Sequence, residues 1–238
     1  AEAVRAMGCD IIEVGDVGPD TDWAAALSDV QYVVHLAARV HVMDARGRDA
    51  QAYHNVNAAG TARLARSAAA AGVRRLVYVS SVKVNGEGTA PGRPYREDDP
   101  PAPQDTYGVS KRDAERALAE IAAGSALEMV VLRPPLLYGA GVGANFRALV
   151  QAVARGAPLP LGAIRNTRSL LFVGNLVDAI MLCLRHPAAA GQTYLLSDGE
   201  DVSTPDLVRR IAAAMNRPVR LLGVPPALLR PAGAVAGR

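Results

Sequence analysis

Cysteine, lysine and long apolar runs are what this sequence has least of. Its two cysteines, Cys9 and Cys183, stand apart with no metal-ligand spacing around either, which excludes a cysteine-based metal site. Both lie in apolar stretches and are expected as buried thiols of a reducing compartment, the cytoplasm, not as a disulfide. No apolar run approaches the ~20 residues of a membrane span, and no repeat or heptad array is present. Of 26 basic residues only Lys83 and Lys111 are lysines. The arginines are scattered and the net charge is a mild +3, which argues against a nucleic-acid surface but leaves room for a phosphorylated ligand. No signal peptide is visible. The chain opens with Ala-Glu, inside what reads as the last turns of a helix over Ala1–Met7 stopped by Gly8, and so reads as a fragment.

What is present is a globular composition, 50% hydrophobic and 21% charged, long enough to bury one large core or two small ones. Strands are expected at Asp10–Val14, Val30–Leu36, Arg75–Val79, Met129–Leu132 and Thr193–Leu196, with an apolar run at Ser169–Val173 and a short extended piece at Pro158–Leu161. Helices are expected at Trp23–Leu27, Asn55–Ala71 closed by Gly72, from Thr106 onward, at Asn145–Arg155 and at Asn175–Leu184. A last helix is capped by Thr204, has Pro205 at its first position and runs to about Met215. Strand and helix alternating at this spacing predict an α/β fold with a doubly wound parallel sheet. The unbroken apolar strands fit a sheet covered on both faces. Ligands in such sheets bind beyond the carboxyl ends of the strands, where Ala37-Ala38, Ser80-Ser81 and Pro134-Pro135 fall. Asp16, just past the first strand, could accept from an adenine amine or simply hold a turn. His35 reads as a packed core histidine. The long loop over 86–104, rich in Gly, Pro and charge, directly precedes the Thr106 helix.

That helix opens Thr106-Tyr107-Gly108-Val109-Ser110-Lys111, which sets a phenol and an ammonium four residues apart on one face. A free tyrosine, with a pKa of about 10, is a poor base at neutral pH. An adjacent cation is expected to lower that value and make Tyr107 a usable proton donor and acceptor. A chain that uses arginine almost everywhere keeps lysine here, a compact charge on a flexible stem.

Five stretches in order resemble one family: Val33-Val34-His35-Leu36-Ala37-Ala38, Asn55-Val56-Asn57 with Gly60-Thr61, Val79-Ser80-Ser81, Tyr107 to Lys111, and Arg133-Pro134 with Tyr138-Gly139. Over nearly its whole length the chain resembles the NAD-dependent epimerase/dehydratase family, the extended short-chain dehydrogenases. Within it the likeness is to UDP-glucose 4-epimerase-like and UDP-N-acetylquinovosamine dehydrogenase-like enzymes of surface-polysaccharide synthesis. The resemblance implies a Rossmann-like sheet whose first strand and glycine-rich turn are missing here, with a small C-terminal α/β subdomain for substrate. It assigns 1–138 and 169–188 to the dinucleotide-binding domain, and 139–168 and 189–238 to the substrate subdomain. It implies NAD or NADP as cofactor, a nucleotide-diphosphate sugar, UDP-linked, as substrate, and a homodimer through the helices at 50–71 and 106–123. Without the glycine turn, this chain alone would bind dinucleotide poorly.

The resemblance makes Tyr107 the acid/base, Lys111 the ribose ligand that tunes it, and Ser81 the hydroxyl that holds the reacting sugar oxygen. It places Asp16, Ala37, Ala38 and Asn57 on the adenosine and pyrophosphate side, Pro134 beside the nicotinamide, and Ser80 in support. Asn145 and Arg168 would contact the nucleotide sugar, Arg168 at its diphosphate. Lys83 is a further candidate for the substrate cleft. Asn85 stands where the family often has tyrosine, which opens the question of what walls the sugar. Val82 and Lys83 replace the acidic pair common in sugar dehydratases, which speaks against dehydration. A non-catalytic, dinucleotide-sensing role is the alternative from another class.

Overall fold

The computed structural model describes residues 6–40, 50–90, 92–225 and 227. The chain divides into two compact units, Ala1–Pro134 with Val177–Leu196, and Pro135–Leu176 with Ser197–Arg238.

Burial explains the unbroken apolar strands of the first unit. Its sheet holds β1 (Tyr32–His35), β2 (Arg75–Val79), β3 (Glu128–Arg133) and β6 (Thr193–Leu195), all parallel, in the order β1-β2-β3-β6. Leu76, Val77, Tyr78, Val130 and Leu132 are inaccessible to solvent. A helical stretch runs from α1 (Ala50–Tyr53) through a π-helical segment (His54–Gly60) into α2 (Thr61–Ala70). With α3 (Thr106–Ala123), it supplies Leu64, Ala65, Ala68, Ala114 and Leu118 to the core around Leu76, Tyr78 and Val131. The alanines let the helices approach the sheet closely. His35 belongs to this core: it is buried, stacked 5.5 Å from the Tyr78 ring, with Nε2 2.8 Å from Thr61 Oγ1. Burial lowers its pKa to about 4, so the ring is neutral at pH 7. Arg75 is buried as well. It pairs with Glu128 at 2.7 Å and donates to the carbonyls of Cys183 and His186 at the end of α5 (Val173–Arg185), which meets the unpaired groups of a helix C-terminus.

The second unit carries β4 (Leu136–Tyr138), β5 (Arg168–Phe172) and β7 (Asp201–Val202), with β4 parallel and β7 antiparallel to β5. Leu159 bridges to Leu221. Val153 of α4 (Ala144–Ala154) and Val208 and Ala212 of α6 (Thr204–Ala214) close around Leu159. Asp198 ties three elements of this unit together, accepting from Phe172 N (3.0 Å), Asn175 Nδ2 (2.7 Å) and Tyr138 Oη (2.8 Å).

Three sequence expectations need correction. Asp10–Val14 forms no strand, because no neighbouring backbone pairs with it among the described residues; Ile12 is half exposed. Cys183 is buried as expected, but Cys9, just before that unpaired run, is exposed. The cap of α6 is Ser203, one residue before Thr204, with Oγ accepting from Asp206 N at 3.1 Å. The expected helix over Ala1–Met7 and the tail after Pro225 lie largely outside the described residues.

Candidate active site

The carboxyl ends of β2 and β3 stay tied beyond the ladder. Ser80 N donates to Leu132 O at 2.7 Å, and Val82 N to Pro134 O at 3.0 Å. Ser81 then caps a single 3-10 turn, Val82–Val84, with Oγ accepting from Lys83 N at 3.2 Å. Above this turn stands the start of α3, capped by Asp105, whose Oδ1 accepts from Gly108 N at 2.6 Å. Tyr107, Lys111 and Glu115 follow at four-residue intervals on the helix face turned to the strand ends.

The three expected catalytic side chains converge. The Ser81 hydroxyl lies near enough to the Tyr107 phenol to favour its ionised form. Lys111 Nζ lies 5.9 Å from the Tyr107 ring centroid and 4.6 Å from that of Tyr78, and donates to Val79 O at 2.9 Å. Tyr53 meets Tyr107 edge-on at 6.4 Å.

Their electrostatics differ from the expectation. The Tyr107 pKa is raised, not lowered. Burial is the largest cause and the nearby Ser81 hydroxyl opposes it; the Asp105 charge raises the value further, the Lys83 charge lowers it, and Tyr53 adds to the rise. The Lys111 ammonium points at a backbone carbonyl and over ring faces. Burial lowers the pKa of Lys111 itself to about 8, with Glu115 opposing the shift. A cation that binds its proton less tightly folded than unfolded destabilises the fold below its folded pKa. The penalty is relieved as pH rises from about 8 towards the ordinary lysine value of 10.5. Urea midpoints of a Lys111→Met variant should lack this alkaline gain, which the parent protein should show.

Behind these groups runs a buried polar network. Arg133 donates to both Glu115 oxygens, at 3.1 Å and 2.6 Å, and to Asn85 Oδ1 at 3.0 Å. Asn85 Nδ2 donates to Arg96 O in the long loop, and Ser80 Oγ donates to Glu115 Oε1. Asn85 is thus a buried link between a strand end and a loop. Ser80 is a member of the same network.

The remaining candidates are dispersed. Asn57, in the π-helical segment, is fully buried. Its Oδ1 accepts from Arg39 N (2.7 Å), while Nδ2 donates to Arg39 O (3.1 Å) and Ser110 Oγ (2.9 Å). Ala37 and Ala38 follow β1, the first exposed and the second half-buried, and Pro134 is buried. Asp16 is exposed at a bend, where its carbonyl accepts from Thr21 Oγ1. Lys83 is paired with Asp105 and Glu87. Arg168 is exposed at the start of β5, in the second unit; the Asn145 side chain lies outside the described residues. No cluster of metal-binding side chains occurs among the described residues, and no helix there is long and apolar enough to cross a membrane.

Residues 3–197 match the NAD dependent epimerase/dehydratase family. The chain belongs to that family. It is 48% identical to a UDP-glucose 4-epimerase of Vibrio cholerae over 217 residues, 90% of this chain and 66% of the relative. The chain spans about half to two thirds of the length of the curated relatives it matches. Among solved structures, MoeE5 in complex with UDP-glucose and NAD superposes with a TM-score of 0.76 at 28% identity, over 94% of this chain and 80% of the other. A short-chain dehydrogenase/reductase superfamily protein from Agrobacterium tumefaciens with bound NAD gives a TM-score of 0.71 at 27% identity, over 94% and 81%. Family membership accounts for the parallel sheet and for the order of the motifs around Ser81, Tyr107 and Lys111.

Sequence reasoning missed Glu115, Asp105 and Tyr53 as parts of this site, and read Arg133 and Asn85 only as motif positions. For Glu115 a signal was available, since it lies one further turn along the Tyr107–Lys111 face. Asn85 and Arg133 are 48 residues apart and meet only in the folded chain.

Proposed function

We propose that the protein containing this chain is an NAD(P)-dependent nucleotide-sugar 4-epimerase or 4-ketoreductase acting on a UDP-sugar. The observation that carries this reading is the meeting of Ser81 with Tyr107, and of Tyr107 with Lys111 on the same helix face. The likeness to a UDP-glucose 4-epimerase and to a UDP-glucose and NAD complex supports it.

The residues present fit the nicotinamide half of a dinucleotide. Lys111 has three N–H donors; one is engaged by Val79 O, which leaves donors for the ribose hydroxyls. The small Ala37 and Ala38 at the β1 end permit close approach of a ligand. When bound, the cofactor supplies hydride transfer at the sugar C4. Tyr107 exchanges the proton of the C4 oxygen. Ser81 donates to that same oxygen and stabilises charge developing on it. A phenol held above its ordinary range rests protonated, poised to donate to a 4-keto oxygen. Asp16, Asn57 and Pro134 are assigned to the cofactor, with Ser80 in support, and Asn145 and Arg168 to the substrate, while the Lys83 ammonium is taken up by Asp105 and Glu87. Domains divided as the resemblance implies, and a homodimer, belong to the same proposal.

The test uses the full-length protein with NAD and UDP-glucose. UDP-galactose formed without a net change in nicotinamide absorbance identifies an epimerase. Net cofactor oxidation on a UDP-4-keto sugar identifies a ketoreductase. Dinucleotide binding without turnover on any nucleotide sugar would replace this reading with the sensing one.

A further inference from the structure

We propose that the Lys83–Asp105 ion pair is a clasp that holds the Ser81 turn against the start of the Tyr107 helix and sets the phenol between two opposed charges. Lys83 is then a positioning residue for proton transfer. The inference rests on Tyr107 as the acid/base.

The two lysines of the chain are both spent at this site. Lys83 lies two residues past Ser81, and Asp105 lies two residues before Tyr107, so their contact joins the two segments that carry the reacting hydroxyls. Lys83 Nζ is 2.5 Å from Asp105 Oδ2 and 2.9 Å from Glu87 Oε1. The second Asp105 oxygen caps the helix at Gly108 N. A single carboxylate thus fixes the first turn of α3 and receives the charge that follows Ser81. The backbones touch as well. A Cβ on Gly108 would come within 2.8 Å of Lys83 O, so only glycine lets the Ser81–Lys83 turn lie this close beneath Tyr107. An ammonium is compact enough to meet two carboxylates in so tight a turn, which a planar guanidinium fork does less well. The Lys83 and Asp105 side chains are 35% and 40% exposed. Pairs that exposed contribute little to global stability, which points to geometry and charge as their role.

The charged and titratable groups facing the phenol are Ser81 and Lys83 from the turn, Asp105 from the helix cap, Tyr53 from α1, Tyr78 from β2 and Lys111 from α3 itself. Among them Lys83 and Asp105 act on Tyr107 with opposite sign.

The test is a titration of the full-length protein with NAD, its tyrosines carbon-13 labelled at the hydroxyl-bearing ring carbon and the Tyr107 signal assigned with Tyr107→Phe. Lys83→Met should delay the onset of phenolate formation to higher pH. Asp105→Ser keeps a capping oxygen and should advance the onset to lower pH, each by roughly half a pH unit. Turnover on the UDP-sugar should fall about tenfold or more in both variants with KM little changed, as expected when a reacting group is displaced. A Tyr107 titration that does not move, or that moves the same way in both variants, overturns the clasp. Opposite shifts in a protein that turns over no nucleotide sugar would leave the clasp standing and remove the proposed function.

Discussion

Replacing Tyr107 with phenylalanine in the full-length protein should lower turnover on a UDP-sugar by roughly 10²–10⁴-fold, the range for losing a positioned general acid. The ring contact with Tyr53 at 6.4 Å and the Lys111 cation over the ring face do not need the hydroxyl. The variant should therefore fold and bind dinucleotide like the parent. The deletion leaves Ser81 as the remaining hydroxyl at the reacting oxygen, and a serine hydroxyl is a far weaker acid than a phenol. Steady-state turnover with cofactor affinity measured in parallel checks the prediction. A variant that keeps most of its rate would show that the proton leaves by another route.

The second large effect is on stability. Arg133→Met should cost about 3–5 kcal/mol, the usual result of removing one partner from a buried pair. The Arg133 and Glu115 side chains are only 6% and 10% exposed, so water cannot compensate the stranded carboxylate. Asn85 Oδ1 loses its donor at the same time. The double variant Arg133→Met with Glu115→Gln should recover much of the loss, because it removes the uncompensated charge. Urea unfolding of the parent, both single variants and the double variant closes the cycle. If the double variant is as unstable as Arg133→Met, the penalty lies in lost packing and not in an unpaired charge.

Most of the parallel sheet could be read from the chain because β2 and β3 are covered on both faces, and their apolar runs say so directly. Asp10–Val14 has the same composition but no neighbour among the described residues, and composition cannot supply a ladder. β4 and β7, three and two residues long, are too short to leave a periodic signal. At the site, the four-residue spacing of Tyr107 and Lys111 correctly placed both on one helix face. It could not say that the ammonium would turn to Val79 O, so the sign of the phenol's shift was misjudged. That sign depends on desolvation and on Asp105 and Lys83, whose pairing spans 22 residues and a loop without periodicity.

The π-helical stretch through Asn57 has a consequence for how this chain can vary. One wider turn between two α-helical segments brings a single amide over the Arg39 peptide unit and the Ser110 hydroxyl at once. A helix regularised by losing one residue there would leave its later side chains facing much as they do, because the wider turn takes up one extra residue, but it would withdraw the amide from those partners. The extra residue of 54–60 is thus absorbed where it stands, and seating Asn57 is what it accomplishes.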